Sequence, residues 1–409
     1  MECEEHMKIY IMDTIELPKS SGGATHKWEL ARKLSKMGHE VHVMTYEGTK
    51  VEGADIHTMK AREKYRFDFL FKLTHLVSIL RIIMVCNLDI IYTRNVSFAL
   101  LGLLIKRIKN AKLVLELNGL FSEDWKSEKK IYRGVKKIYV DVKNIVWSYL
   151  EIFVAKKADA VIAVAQGIKD ILIQRGGDRN KIFVIPNGAN VDMFRLINDS
   201  AAINELRNHH SISENDYIVA FIGNLAPHHG IEYLIKSAPI VLNVLPNTKF
   251  LIVGDGAIKK ELINLSERIG VSDEIIFTGR VSYEIVPLYI NMADVCVAPF
   301  IRARNERIGL SPLKIYEYLA CGKPVVASDI KGIGDLLRNS NAGIAVTPEN
   351  PVELANAIIK LLKDEELRRQ MGENGRKVVV NNYSWDHTAK KTIEVFEKIL
   401  KKGDYSSAS

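Results

Sequence analysis

Short runs rich in valine and isoleucine recur along this chain and alternate with stretches of helical periodicity. In the first half the apolar runs are KIYIMD (8–13), EVHVMT (40–45), DIIYT (89–93), KLVLEL (112–117), AVIAVA (160–165) and KIFVIP (181–186). They are nearly continuous in apolar residues, the pattern of parallel strands covered on both faces. Between the first two, THKWELARKLSKMG (25–38) reads as a helix ending on Gly38. The series then restarts with YIVAFIG (217–223), KFLIVGD (249–255), EIIFTG (274–279), VCVAPF (295–300), KPVVASD (323–329) and AGIAVT (342–347). Two successive βαβ series predict two doubly wound α/β domains instead of one large sheet. The polar, weakly periodic stretch 195–216 is the expected linker, and beyond 350 the chain turns helical and charged. Ligands of open α/β sheets bind at the carboxyl ends of the strands. Two such domains therefore predict an enzyme or binding protein for a ligand with two parts.

Composition narrows this only a little. The 409 residues suit two domains of about 200 residues each. A net charge of +8 suggests an anionic partner without saying which kind. The four cysteines (Cys3, Cys86, Cys296, Cys321) lack CxxC or metal-ligand spacing, which favours a reducing compartment, with buried thiols expected for the last three. The acidic start MECEEHMKIYIMD is not that of a signal peptide. The oiliest region, 76–92, is interrupted by Arg81 and Asp89, so no membrane span is expected and the protein reads as cytosolic.

Four places could hold chemistry. In SSGGATHKWELARKL (20–34), Gly22 and Gly23 open a helix whose amides suit an anion, and His26 in its first turn could serve as acid, base or donor; a solvated helix histidine is the competing reading. In FIGNLAPHHGIEYLIKSA (221–238), a strand opens into Asn224, Pro227, His228, His229 and Gly230 before another helix, again an anion site. The adjacent histidines are a poor metal site, because sequence neighbours rarely converge on one ion. The absence of GxGxxG in the first loop argues against NAD. In LIVGDGAIKKEL (251–262), Gly254, Asp255 and Gly256 form a tight turn with Asp255 bonding local backbone.

The fourth is GLSPLKIYEYLACGKPVVASD (309–329). Ser311 is a good N-cap, Pro312 suits the first helical position, and Gly322 ends the helix. Lys314 and Glu317 are three apart and share a face inside an otherwise apolar helix. A surface ion pair is the plain alternative. A site reading fits better: the lysine meets a ligand phosphate and the glutamate accepts sugar hydroxyls.

Taken together, GGATHKWELARKLSKMGHEVHVMT (22–45), DIIYTRN (89–95), LVLELNG (113–119), VIAVAQGIKDILIQRG (161–176) and KIFVIPNGANVDMF (181–194) form a recognisable series. It continues through FIGNLAPHHGIEYLI (221–235), FLIVGDG (250–256), FTGRVSYEIVPLYINMADVCVAPF (277–300) and SPLKIYEYLACGKPVVASD (311–329). With these in order, nearly the whole chain resembles glycosyltransferase family 4, retaining enzymes of the GT-B fold.

The resemblance implies two Rossmann-like domains facing across a deep cleft: an acceptor-side domain over 1–195 and a nucleotide-sugar domain over 196–383. The C-terminal helix, 384–409, would return to the first domain. It further implies that Glu317 is the second glutamate of the EX7E element, which holds the ribose. The first would fall at Gly309 and is missing, as in a subgroup reading SPLKxxEYM, in which Lys314 is the pyrophosphate ligand. The arginine and lysine of the usual phosphate clamp are replaced by Asn224 and His229, and a protonated His229 could compensate. By the same resemblance Gly22, Gly23, Gly230 and Leu313 would lie against the donor and Val281 against its base. Glu116, Asn118 and Glu123 would lie towards the acceptor, with His26, Lys314 and Glu317 as the catalytic set. No metal and no cofactor beyond the nucleoside diphosphate sugar, UDP-linked or another, is implied; transfer would retain configuration without a covalent enzyme intermediate.

Residues 126–157 hold nine Lys/Arg against three Asp/Glu, and residues 60–84 hold six against two, both interleaved with aromatic and aliphatic residues. Such surfaces suit an anionic membrane and a glycan or polyprenyl-linked acceptor, with nucleic acid the competing use of the charge. The functional rivals are a sugar-nucleotide epimerase and a non-catalytic nucleotide-sugar-binding subunit.

Overall fold

The computed structural model describes residues 6–15, 22–46, 53, 55–59, 87–120, 134–197 and 199–404. The chain divides into two compact units, one of 1–186 with 388–409 and one of 187–387. The boundary thus falls before the expected linker. Within 195–216, Asp199 caps a helix by accepting from the amides of Ala201 and Ala202, and Ile203 and Leu206 pack on the second core. That stretch is part of the second unit because its two apolar side chains, three apart, find a place to be buried.

In the first unit the strands are β1 (Lys8–Ile15), β2 (Glu40–Tyr46), β3 (Asp55–Met59), β4 (Ile90–Thr93), β5 (Lys112–Leu117), β6 (Ala160–Ala163) and β7 (Ile182–Val184). Its helices are α1 (Gly22–Lys36), α2 (Val96–Lys109), α3 (Gly134–Lys157) and α4 (Gln166–Gln174). All pairings are parallel, in the order β3-β2-β1-β4-β5-β6-β7. Strand β3 was not expected. Among the described residues it is an edge strand paired with β2, and Asp55, His57 and Thr58 dilute its apolar signal.

The second unit has β8 (Tyr217–Ile222), β9 (Thr248–Val253), β10 (Ile275–Gly279), β11 (Val295–Ala298), β12 (Val325–Ser328) and β13 (Gly343–Val346), ordered β10-β9-β8-β11-β12-β13. Its helices are α5 (Ser200–His209), α6 (Ile231–Val244), α7 (Lys259–Ile269), α8 (Val286–Met292), α9 (Ala303–Ile308), α10 (Leu313–Ala320), α11 (Gly334–Ser340), α12 (Pro351–Lys363) and α13 (Glu365–Asn382). The order of strands reverses beside β1 in one sheet and beside β8 in the other. Each reversal opens a crevice at the carboxyl end of the central strands, where doubly wound sheets bind ligands.

Helix α14 (Trp385–Asp404) runs from the end of the second unit into the first. Its Ala389, Ile393, Phe396 and Ile399 join Ile9, Ile11, Val43 and Tyr92 in the core of the first unit. Cys296 and Cys321 are buried and free, and burial pushes both thiols up, Cys296 to about 12. Cys3, Cys86, Glu123 and the basic stretch 60–84 lie outside the described residues.

Candidate active site

In the second unit the crevice is built around α10. Tyr318 on this helix accepts from the amide of Ile222 (2.8 Å) and donates to its carbonyl (3.0 Å), fastening the helix to the end of β8. At its C-terminus Arg376 donates to the carbonyls of Ala320 (2.7 Å), Phe194 (2.6 Å) and Val191 (3.0 Å). A cation at a helix C-terminus also complements its dipole.

The start of α10 departs from expectation. Pro312 is the N-cap, with no side-chain cap bond. The hydroxyl of Ser311 instead accepts from the amide of Asn187 (2.9 Å) and bonds the Tyr316 hydroxyl (3.0 Å). Asn187 Nδ2 also donates to the Ser311 carbonyl. A partner 124 residues away outcompetes the local capping role, and the first amides of α10 are left without a side-chain acceptor.

Lys314 projects from the first turn of α10 to the end of β8. Its Nζ lies 3.9 Å from the centre of the Phe221 ring and 5.5 Å from that of Phe300, is sealed from solvent, and has no hydrogen-bond partner. Burial lowers its pKa from 10.5 to about 7, against the opposing pull of Glu317. Buried, unpaired ammonium groups are costly and mark functional sites. Glu317, one turn further, is buried and accepts from the Tyr283 hydroxyl at 3.1 Å. Tyr283 follows Val281, which packs beside the core of this unit.

The opposite wall is the 3-10 turn Pro227–His229, with Gly230 starting α6 and Leu313 half-buried beside Lys314. Asn224 is exposed. His229 is held in its neutral form. Burial, then the neighbouring Lys314 and His228, lower its pKa to about 2, and its Nδ1–H donates to the Asn224 carbonyl. It is a neutral wall, packed on Phe221 and Phe300 with ring centres 6.0 and 5.4 Å apart.

Two glycines are dictated by this geometry. Gly309 has φ 71°, ψ 173°, a conformation essentially reserved for glycine, so a glutamate there would be strained. Gly223 has φ 145°, and a Cβ on it would come within 2.7 Å of Lys314 Nζ. Gly223→Ala is therefore expected to cost about 1–3 kcal/mol in urea unfolding, because both backbone and ammonium must shift.

In the first unit the crevice at β1 and β4 holds a buried charge network. Glu116, at the end of β5, lies 2.7 Å from Arg94 Nε and 3.1 Å from His26 Nε2, and accepts from the Tyr92 hydroxyl. Asp13 accepts from the Arg94 amide at 3.0 Å and lies 3.7 Å from Lys27 Nζ. Arg94 Nη1 also reaches the carbonyl of Gly23 at 3.4 Å. His26 is thus neither solvated nor free, and the carboxylate of Glu116 is held by Arg94, His26 and Tyr92. Gly22 and Gly23 are exposed in the first turn of α1, and Asn118 is exposed just after β5. Arg94, Tyr92 and Tyr283 were not singled out from the sequence. Arg94 directly follows a central strand at the reversal of strand order, the one sequence-level signal that could have found it.

Two family models cover most of the chain: Glycosyltransferase Family 4 over residues 20–193 and Glycosyl transferases group 1 over 202–378. An uncharacterised glycosyltransferase of Methanocaldococcus jannaschii is 27% identical over 96% of this chain and 98% of its own. Among solved structures, a sucrose-phosphate synthase from Thermosynechococcus elongatus superposes with a TM-score of 0.77 at 19% identity, over 97% of this chain and 100% of that one. Anabaena HepE, solved in complex with UDP, gives 0.71 at 20% identity over 96% and 100%. At such identities the structures speak for the fold alone, which is GT-B. By its sequence matches, the chain belongs to glycosyltransferase family 4.

Proposed function

We propose that the second unit binds a nucleoside diphosphate sugar at the head of α10 and that the enzyme transfers a hexose or related sugar with retention of configuration. The observation that carries this reading is the sealed ammonium of Lys314, set at the carboxyl end of β8 without an anion to meet. A diphosphate supplies that anion, and its charge grows as the glycosidic bond breaks, so the same contact stabilises the transition state more than the ground state. The amides of the first turn of α10, which have no side-chain cap, add to it. Glu317, oriented by Tyr283, accepts the ribose hydroxyls. The donor is a UDP-sugar, as the HepE complex with UDP suggests, and the acceptor a glycan or polyprenyl-linked molecule at a membrane surface. The reading calls on no cofactor and no metal.

A panel of nucleoside diphosphate sugars, scored by thermal shift, tests the donor. A UDP-sugar should raise the melting temperature, and Glu317→Gln should weaken its binding about ten- to a hundredfold, since a charged acceptor is lost. No shift with any nucleoside diphosphate sugar would sink the donor reading. The anomeric proton coupling of the product tests retention, and an inverted product would overturn it. An epimeric sugar formed from donor alone would favour an epimerase.

A further inference from the structure

Helix α3 carries its apolar residues on the wrong side for a helix packed on a sheet. Ile138, Val142, Ile145, Val146, Tyr149 and Phe153 are all exposed, Ile138 at 64% and Tyr149 at 75%. At 100° per residue they fall within an arc of roughly 100°, in a stripe about 22 Å long. The inward side of the same helix takes the carboxylate of Glu151, 1% exposed, beside Val154 and Ala155. Single exposed apolar residues are ordinary, but six in one stripe mark a surface that meets something apolar.

The neighbouring helix α2, packed against α3, extends the patch with Leu104 and Ile108, one turn apart and both exposed. Among the described side chains, the exposed charges of the two helices are Lys143, Lys156 and Lys157 on α3 and Arg107 on α2. Among the described residues, neither helix exposes an aspartate or glutamate. The partner therefore has to be apolar in the middle and negative at the rim. A second copy of this surface would bring like charges together, whereas the interface of an anionic bilayer has the required sign. Among the described residues no helix is long and apolar enough to cross a membrane.

We propose that α3 and the end of α2 form a membrane seat. The apolar stripe enters the boundary between headgroups and acyl chains of an anionic bilayer, with Lys143, Lys156, Lys157 and Arg107 among the lipid phosphates. Tyr149 suits such an interface, being apolar in its ring and polar at its tip. This names the partner surface for the lipid-linked acceptor proposed above, but needs no donor.

The test is flotation of the full chain with vesicles of phosphatidylcholine alone or mixed with phosphatidylglycerol. Binding to the anionic vesicles at low salt, weaker at high salt or on neutral ones, is the expected result. The double variant Tyr149→Glu/Phe153→Glu should reduce that binding about tenfold or more, since two apolar anchors are lost and negative charge is added. Its melting temperature and donor-induced thermal shift should match the parent, because both side chains are exposed. No flotation with anionic vesicles overturns the proposal, as does flotation unchanged in the variant. A dimer in light scattering that the variant dissociates, without vesicle binding, would instead assign the stripe to a second copy. Donor binding is read independently, so failure here leaves the donor site standing.

Discussion

Lys314→Met should make the ligand-free protein more stable, weaken its binding of donor and slow transfer. The ammonium is buried on Phe221 and Phe300 without a hydrogen-bond partner, and burial holds its pKa at about 7 instead of 10.5. Between these values the unfolded chain binds more protons than the folded one, so stability rises with pH across this window. The cost is therefore full below about pH 7 and fades towards 10.5. Methionine has a similar shape and no charge. At pH 6 it should relieve up to about 5 kcal/mol, at 1.36 kcal/mol per pKa unit, and less at pH 9.

Activity should move the other way. A diphosphate leaving group without its cation should lose about 10²–10³ in kcat. In the parent enzyme the donor has to restore the proton on Lys314. Its affinity should then weaken as pH rises above about 7, with proton uptake visible by calorimetry in buffers of different ionisation enthalpy. A variant that melts lower and binds donor as tightly as the parent would place the diphosphate elsewhere.

The second large effect is expected in the other unit. Glu116→Leu should destabilise it by about 3–5 kcal/mol, because Arg94 and His26 are left as buried groups without their carboxylate. For a unit of this size that is a fall of roughly 10 °C in melting temperature. Burial would raise the Glu116 pKa, but His26 and Arg94 outweigh it and hold the carboxyl at about 2. Its folded pKa being depressed, its contribution is full above the ordinary 4.5 and is lost as pH falls towards 2. Adding Arg94→Met should recover part of the loss, since one orphaned charge goes with it. A single variant melting within a degree of the parent would mean the network stores little stability.

What was legible in the sequence follows from how local each cause is. Parallel strands covered on both faces announce themselves as apolar runs, so both sheets could be read, apart from the diluted edge strand β3. Lys314 and Glu317 stood out because charges inside a packed helix need a reason, and that reason is local to α10. The Ser311 hydroxyl was misread as a cap because its partners are Asn187, 124 residues away, and Tyr316. The neutrality of His229 depends on Phe221, Phe300 and Lys314 gathering around it, and the hold on the Glu116 carboxylate depends on Arg94, His26 and Tyr92. None of these meetings leaves a periodicity or a spacing to detect. Gly309 lies between: its identity is visible, but only φ 71° explains why it is not a glutamate.

The path of α14 has a consequence for synthesis on the ribosome. Ile393, Phe396 and Ile399 close the core that Ile9, Ile11 and Tyr92 begin, and Phe396 packs edge-on against the Tyr92 ring, 6.2 Å between centres. The unit translated first is therefore the last to be finished. Its sheet waits with one face incomplete while 187–387 emerges and closes on its own residues. A truncation within α14 would strike the first unit, although the helix follows the whole of the second along the chain.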